Sequence, residues 1–367
     1  MVLRKGLILK KIASLAALSI SAALLFTACG TGSTSTQSTD TGSSNTTSAT
    51  DSQAQTSSSK AYDKMVTVNV GYMPNIHGAS PLAVGIEKGY FEEYGIKVNA
   101  VKFLSGPPEF QAMASGDLDI GYIGSGATFL AAQGQGKIIT IDNVAYSDSI
   151  IATKKSGITK IEDLKGKTMA VPKGTTGETL LNLAIEKAGM KASDININNM
   201  DVAGAVAAFV AGKVDAVAIW APYTFEVQSQ VGEGNYVVVK TLRDYPDSVY
   251  PSSWVARPEF AEKNKDVLVR FLKGWVKAND FRKANLKETA AITAKFTQVA
   301  EDQLYKMGAP EITDFYDAQK LNEMLKDGTV NNMYDGLIKS FVVNEKLKEY
   351  VDPKTFILTD PLNEALK

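Results

Sequence analysis

Two periodicities of apolar residues organise the chain from residue 65 onward. In 65–72, Val66, Val68 and Val70 alternate with polar or small residues, which is the period of a strand with one buried face. Further strands are predicted at 96–103, 118–123, 167–171, 195–198 and 216–220. Helices are predicted at 80–89, with Ser80 as cap and Pro81 in the first turn, and at 105–116, 175–185 and 203–211. Short strands that alternate with helices predict an α/β fold with helices on both faces of a sheet.

The second half of this pattern repeats the first. Residues 116–120, Gly-Asp-Leu-Asp-Ile, are echoed at 212–216, Gly-Lys-Val-Asp-Ala, and each copy lies between an Ala-rich helix and an apolar strand. Two related α/β units predict two lobes of similar topology. Ligands bind beyond the carboxyl ends of the strands in such sheets, so the two sets of loops should border one cleft.

A run of amphipathic helices follows the second unit. These helices are predicted at 259–284, 287–296, 302–307, 319–325 and 330–341. Phe271 and Trp275 lie one helical turn apart, which predicts that both are core residues. Arg257, just before a proline and a helix, is interpreted as a structural ion-pair residue. The helices carry no chemical motif, and they should pack around the first lobe and offer a surface to a partner.

The strand, turn and helix in 169–185 predict the floor of a ligand site. Thr175 precedes Glu178 by three residues, the capping-box spacing, in which each side chain would satisfy an amide of the first helical turn. Gly174 and Gly177 would allow a tight turn without covering the remaining amides. Such amides lie at the positive end of the helix dipole, so they can hold an anion without Lys or Arg.

The first sixty residues are predicted to lie outside the fold. Residues 1–29 have a basic start and an apolar run that ends at Cys29, which predicts a lipoprotein signal peptide with lipid attachment at Cys29. Phe26 replaces the Leu that usually stands three residues before such a Cys. Residues 30–60 are almost entirely small and polar, so they should form a disordered tether.

The composition of the chain argues against several classes of function. The formal net charge of -1 argues against nucleic acid, which calls for a basic face. Cys29 is the only cysteine and His77 the only histidine, so neither a disulfide framework nor a metal site is expected, and no cofactor is expected. His77 itself is either a solvent-facing loop residue or a ligand contact.

Six sequence blocks resemble the substrate-binding proteins of ABC importers for alkanesulfonates, taurine and nitrate, and most closely the aliphatic-sulfonate binders. The blocks are VNVGYMPN, KGYFEEYGI, GDLDIGYIGSGATFLAAQGQG, IEDLKGKTMAVPKGTTGETLL, GKVDAVAIWAPY and WVARPEFAEKNKD. The resemblance implies a two-lobed periplasmic-binding-protein fold (type II, Venus flytrap) with two crossovers. One lobe would comprise 65–152 plus 252–367, and the other 153–251.

The resemblance also implies a set of ligand-binding residues. The sulfonate oxygens would be held by Ser125 and the amides of Gly126 and Ala127 from one lobe, and by Thr175, Thr176 and the Gly177 amide from the other, with Trp220 as an aromatic wall. The full predicted set is Tyr72, Asn75, His77, Ser125, Gly126, Ala127, Thr128, Gly174, Thr175, Thr176, Gly177, Trp220 and Tyr223. For Tyr223 and Trp254, core and cleft remain open alternatives. Many relatives have Trp-Asp-Pro where this chain has Trp-Ala-Pro at 220–222, which counts against taurine.

The implied function is that of an extracytoplasmic solute-binding lipoprotein. It would be a lipid-anchored monomer on the cell membrane that binds a small oxyanion and delivers it to an ABC permease with its ATPase subunits. An aliphatic sulfonate is the favoured ligand, and nitrate, taurine and an aromatic carboxylate are alternatives. A sensor for a signalling partner is a further alternative. Thiamine-pyrimidine synthases share the resemblance but use a Cys-rich motif that this chain lacks, so no enzyme activity is expected.

Overall fold

Strands and helices alternate through the first part of the chain, and helices dominate the rest. The computed structural model describes residues 64–248 and 250–367. The strands are β1 Val66–Tyr72, β2 Ile96–Lys102, β3 Ile120–Ile123, β4 Lys137–Ala145, β5 Ser149–Thr153, β6 Thr168–Val171, β7 Asn196–Asn199, β8 Ala216–Ile219, β9 Tyr236–Thr241, β10 Ser252–Ala256 and β11 Thr313–Phe315. The helices are α1 Ile76–Glu87, α2 Gly106–Ser115, α3 Thr128–Ala132, α4 Thr176–Lys187, α5 Val202–Val210, α6 Tyr223–Val231, α7 Pro258–Lys263, α8 Lys265–Ala284, α9 Leu286–Thr297, α10 Glu301–Gly308, α11 Ala318–Lys326, α12 Thr329–Val343 and α13 Asp360–Ala365.

Two separate sheets form the centres of two lobes. The first has the order β11-β4-β10-β3-β1-β2 and the second the order β7-β6-β8-β5-β9. In the first sheet β1 pairs in parallel with β2 and β3, and in the second β6 pairs in parallel with β7 and β8. These parallel strands are the two repeats seen in the sequence. The α/β, two-lobed fold class is confirmed.

The chain passes between the sheets twice. The first crossover connects β4 to β5, and the second connects β9 to β10. Strand β5 pairs antiparallel with β8 and β9, so it belongs to the second sheet from Ser149 onward. The first crossover therefore precedes the predicted lobe boundary at residue 152. The antiparallel strands β5 and β10 carry no sequence repeat, and the boundary at residue 152 was one that the family resemblance implied.

Helix α1 begins earlier than predicted. The Asn75 side chain caps it by accepting a hydrogen bond from the Gly78 amide at 2.8 Å, so Ser80 and Pro81 lie inside the helix and not at its start. Proline has no amide hydrogen, and the carbonyl four residues before it loses its helical donor. That carbonyl belongs to His77, and the Arg282 guanidinium donates to it at 3.1 Å. A distant residue on α8 thus compensates for the proline.

Arg282 is part of a fully buried polar cluster under α1. Its side chain and that of Asp142 are both 0% exposed and form an ion pair. Arg282 also donates to the Asn279 side-chain oxygen, and its guanidinium lies 4.0 Å from the centre of the Phe315 ring. Burial raises the pKa of Asp142, and the adjacent Arg282 counteracts this rise. The cluster joins α8, α1 and the first sheet.

Aromatic residues fill the core of the first lobe, as predicted for Phe271 and Trp275. Both are fully buried, and Trp254 lies between them and Tyr122, with ring centroids 6.3 Å from Phe271 and 6.4 Å from Trp275. Trp254 is therefore a core residue and not part of the cleft. Arg257 forms the expected structural ion pair, with Asp119 at 2.9 Å.

The remaining differences concern helix boundaries and five strands that were not predicted, namely β4, β5, β9, β10 and β11. The helix predicted at 259–284 is two helices, α7 and α8, which meet at Asn264. Within 64–248 and 250–367, no helix combines the length and apolarity needed to cross a membrane. The predicted signal peptide, Cys29 and the tether at 30–60 lie outside the described residues.

Candidate functional site

A small cavity lies between the two lobes, beyond the ends of strands from both sheets. Its lining comprises Met73, Asn75, His77, Ser105, Gly106, Tyr122, Gly124, Ala127, Ala145, Ser147, Asp148, Gly174, Thr175, Thr176, Trp220, Ala221, Tyr250 and Ser252. The space open to the centres of water-sized molecules is about 40 Å³. One water needs about 10 to 15 Å³ of such space, so the cavity holds only a few waters or one small solute. This position is where α/β sheets bind ligands.

The loop after β1 and the first turn of α1 each bring one polar side chain to the cavity. The Asn75 side-chain oxygen is used by the helix cap, which leaves its NH₂ group as a donor. His77 Nε2 lies 2.8 Å from Thr313 Oγ1, and Thr313 donates its only hydroxyl proton to the Met307 carbonyl at 2.7 Å. His77 Nε2 is therefore the donor toward Thr313, and Nδ1 is an acceptor.

His77 is uncharged at neutral pH. Burial, together with the nearby positive charge of Arg282, lowers its pKa to about 3, and a hydrogen bond to Met307 opposes this only in part. A neutral imidazole neither attracts nor repels an ionic solute strongly. His77 is 4% exposed and lines the cavity, so it is not a solvent-facing loop residue, and its role as a ligand contact stays a prediction.

The predicted capping box at the start of α4 is wrong in detail. The Thr175 hydroxyl donates to the Pro172 carbonyl at 2.6 Å instead of accepting from an amide of the helix. Glu178 accepts from the Gly174 amide at 2.6 Å, which closes the turn before the helix. Both side chains stabilise the loop and leave the first amides of α4, from Thr176 onward, without an intrahelical acceptor.

The two lobes touch directly beside the cavity. At Gly126 a Cβ atom would lie 2.1 Å from the carbonyl carbon and oxygen of Thr175, and at Gly124 it would lie 2.7 Å from the Thr176 side chain. Such distances leave no room for any side chain at Gly126. An ion pair of 2.7 Å between Lys346, after α12, and Glu178, on α4, adds a second contact. The structure therefore shows the lobes closed on one another.

Asp148 supplies the only ionisable carboxyl group of the cavity lining. It lies on the first crossover and is 5% exposed. Burial raises the pKa of this carboxyl group to about 7, and a hydrogen bond from the Thr176 hydroxyl counteracts the rise. No Lys or Arg lines the cavity.

Seven of the predicted site residues line this cavity and six do not. Those that line it are Asn75, His77, Ala127, Gly174, Thr175, Thr176 and Trp220. Those that do not are Tyr72, Ser125, Gly126, Thr128, Gly177 and Tyr223.

Several of the six have other contacts. Tyr72 packs against Phe296 with ring centroids 4.9 Å apart, and Thr128 is fully buried. Gly177 packs against β8, where a Cβ atom would lie 2.3 Å from the Ala218 carbonyl oxygen. The Tyr223 ring contacts Trp220 edge-on, with centroids 5.6 Å apart, and so supports the aromatic wall.

The main residues that sequence reasoning missed lie on the two crossovers. Asp148 and its neighbour Ser147 precede β5, while Tyr250 and Ser252 lie at the start of β10. The sequence did contain an indication of these residues. Ser147 and Asp148 form a polar pair between two strands, and a polar pair at such a position belongs either to a loop or to a binding site. Among the described residues, no three His, Cys, Asp or Glu side chains are grouped so that they could hold a metal ion.

Comparison with known proteins decides the family. A family model described as NMT1/THI5 like matches residues 77–288, more than half of the chain. The chain belongs to the NMT1/THI5-like family. A putative binding protein of Brucella abortus (strain 2308) is 37% identical to it, covering 80% of this chain and 91% of the relative.

Two further proteins that the chain resembles carry more specific names. A putative aliphatic sulfonates-binding protein of Bacillus subtilis (strain 168) is 29% identical, covering 82% of this chain and 90% of the relative. The crystal structure of the periplasmic aliphatic sulphonate binding protein SsuA from Escherichia coli matches with a TM-score of 0.61 and 25% identity, covering 80% of this chain and 92% of that one. The resemblance to importer binding proteins that the sequence indicated is confirmed.

Proposed function

We propose that this NMT1/THI5-like protein is the extracytoplasmic solute-binding lipoprotein of an ABC importer. In this proposal it captures a small organic oxyanion, an aliphatic sulfonate in the first place, between its lobes and delivers it to the permease. The observation that carries the proposal is the closed interlobe cavity, whose size suits one small solute. The names of the Bacillus and Escherichia relatives support sulfonate as the oxyanion.

The donors around the cavity suit an oxyanion held by neutral groups. The first amides of α4 have no intrahelical acceptor, and the helix dipole favours negative charge at this end. Asn75, whose NH₂ group is left as a donor by the helix cap, lines the same cavity from the first lobe. A solute that bridges these groups contacts both lobes at once, so binding and closure would be linked.

Ligand screening by thermal unfolding tests this function. The full-length protein, purified in detergent, is heated with methanesulfonate, ethanesulfonate, 2-aminoethanesulfonate, nitrate and benzoate. We expect stabilisation by at least one sulfonate, because a ligand at about 100 times its dissociation constant adds about 2.7 kcal/mol. The strongest member of the panel also discriminates among the alternative ligands. Stabilisation by none of the sulfonates would refute the proposed ligand class.

The lipid anchor is a separate part of the proposal. Replacing Cys29 by Ser removes the only thiol of the chain, so no acyl group can be attached and the protein should leave the membrane fraction. Fractionation of cells that express Cys29→Ser and, as a matched control, the tether variant Ser43→Ala measures this. The control should stay with the membranes. Membrane retention of Cys29→Ser equal to that of the control would refute the anchor.

A further inference from the structure

We propose that Asp148 determines specificity in the interlobe cavity by accepting a hydrogen bond from a protonated amine of the solute. The solute would then carry an amine as well as its oxyanion. This inference rests on the proposed function, because it concerns the choice among solutes at the same site.

Asp148 has no cationic partner among the described residues. Its carboxyl group is 5% exposed, and among the described residues no Lys, Arg or His forms an ion pair with it. The Thr176 hydroxyl donates one hydrogen bond to it. A carboxylate has about four acceptor positions, so most of its capacity is left for the cavity. A buried carboxylate without a cation is costly, and a cationic ligand would remove that cost.

The other charged and titratable groups around Asp148 add no net charge to the cavity. His77 is neutral, and burial raises the pKa of both Tyr122 and Tyr250, so these rings stay uncharged. The buried pair of Asp142 and Arg282 lies behind His77 and Tyr122 and is neutral as a unit. The net charge that a solute meets in the cavity is therefore that of Asp148.

The negative charge of Asp148 affects the binding of two kinds of solute differently. An oxyanion without an ammonium group would be held close to the negative charge of the Asp148 carboxylate in a poorly solvated space, unless Asp148 first took up a proton. A solute with an ammonium group would instead form a charge-assisted hydrogen bond to the carboxylate while its oxyanion meets the α4 amides. The cavity thus brings a carboxylate and the first amides of α4 close together, which suits a short zwitterion.

The pH dependence of binding has opposite signs for these two solutes. Burial raises the pKa of Asp148 to about 7. An ammonium-bearing solute needs the ionised carboxylate, so its affinity should rise as pH increases through 7 and then level off. An oxyanion without an ammonium group needs the protonated form of Asp148, so its affinity should fall about tenfold for each pH unit above 7.

The test compares ethanesulfonate with 2-aminoethanesulfonate, which differ only by the amine. Calorimetry with the full-length protein in detergent is done at about pH 6 and about pH 8 on the unmodified protein, Asp148→Asn and the surface control Asp327→Asn. At the higher pH we expect the amine-bearing sulfonate to bind at least about tenfold more tightly than ethanesulfonate. Asp148→Asn should abolish this preference, and Asp327→Asn should keep it.

Other results would overturn the inference in distinguishable ways. Equal or tighter binding of ethanesulfonate, weakening as pH rises, would show that Asp148 only takes up a proton, and the proposed function would stand. Binding of neither sulfonate at either pH would overturn the proposed function and the inference together. The pH profile of the unmodified protein decides the matter even if Asp148→Asn does not fold.

Discussion

Replacing Arg282 by Met is expected to lower the free energy of unfolding by about 3 to 5 kcal/mol, the usual cost of removing one partner of a buried ion pair. The change leaves the Asp142 carboxylate buried without its cation and the His77 carbonyl, already deprived of an amide by Pro81, without a donor. Urea unfolding monitored by circular dichroism measures the effect.

A matched control and a double variant make the Arg282 prediction specific. Lys339 pairs with Asp335 at 2.6 Å on the surface of α12, so Lys339→Met should cost no more than about 0.5 kcal/mol. Adding Asp142→Leu to Arg282→Met removes the orphaned charge and should recover part of the lost stability. A single variant as stable as the control would mean that the buried cluster contributes little.

Replacing Gly126 by Ala is expected to weaken solute binding by at least about a hundredfold, or about 2.7 kcal/mol. The new methyl group would lie 2.1 Å from the carbonyl carbon and oxygen of Thr175, which are backbone atoms of the opposite lobe and cannot rotate away. The lobes would have to separate, and a solute that needs donors from both lobes would lose part of its contacts. Calorimetry with the best sulfonate of the panel measures the affinity.

Gly336→Ala is the matched control for Gly126→Ala. It lies within α12, and a Cβ atom there would meet nothing within 4 Å. Small-angle scattering should show a larger radius of gyration for Gly126→Ala with saturating solute than for the control. Unchanged affinity and an unchanged radius for Gly126→Ala would indicate that closure is not required for binding. A ligand shifts such an equilibrium only by its differential affinity for the open and closed forms.

Local patterns predicted much of the fold because its parallel strands and helices are encoded by neighbouring residues. The alternation in β1 and the repeat at 116–120 and 212–216 needed no knowledge of distant contacts. The start of α1 was missed because Pro81 looks like a first-turn residue. Its tolerance inside the helix depends on Arg282, which lies about two hundred residues away in the sequence.

The candidate site was likewise predicted only in part, since its local features were recognised and its long-range contacts were not. The loop before α4 was recognised from its glycines and threonines, and Thr175 and Thr176 do line the cavity. The hydrogen bonds inside that loop were assigned wrongly because Thr175 has two acceptable partners, and only the fold decides between them. Asp148 was missed because it belongs to no repeat. Its importance arises from burial between two lobes, which a local pattern does not report.

The path of the chain determines on which lobe a fluorescent label would report the motion of the lobes. Strand β1 and the last helix, α13, both belong to the lobe of the first sheet, since α13 packs against α8 and β4. The chain connects the second lobe to the first through the two crossovers. A pair of fluorophores on α8 and α13 would therefore keep a fixed separation, whereas one on α5 and one on α8 would change theirs as the lobes close. Helix α5 is thus the natural place for the mobile label if this protein is made into an optical sensor for its solute.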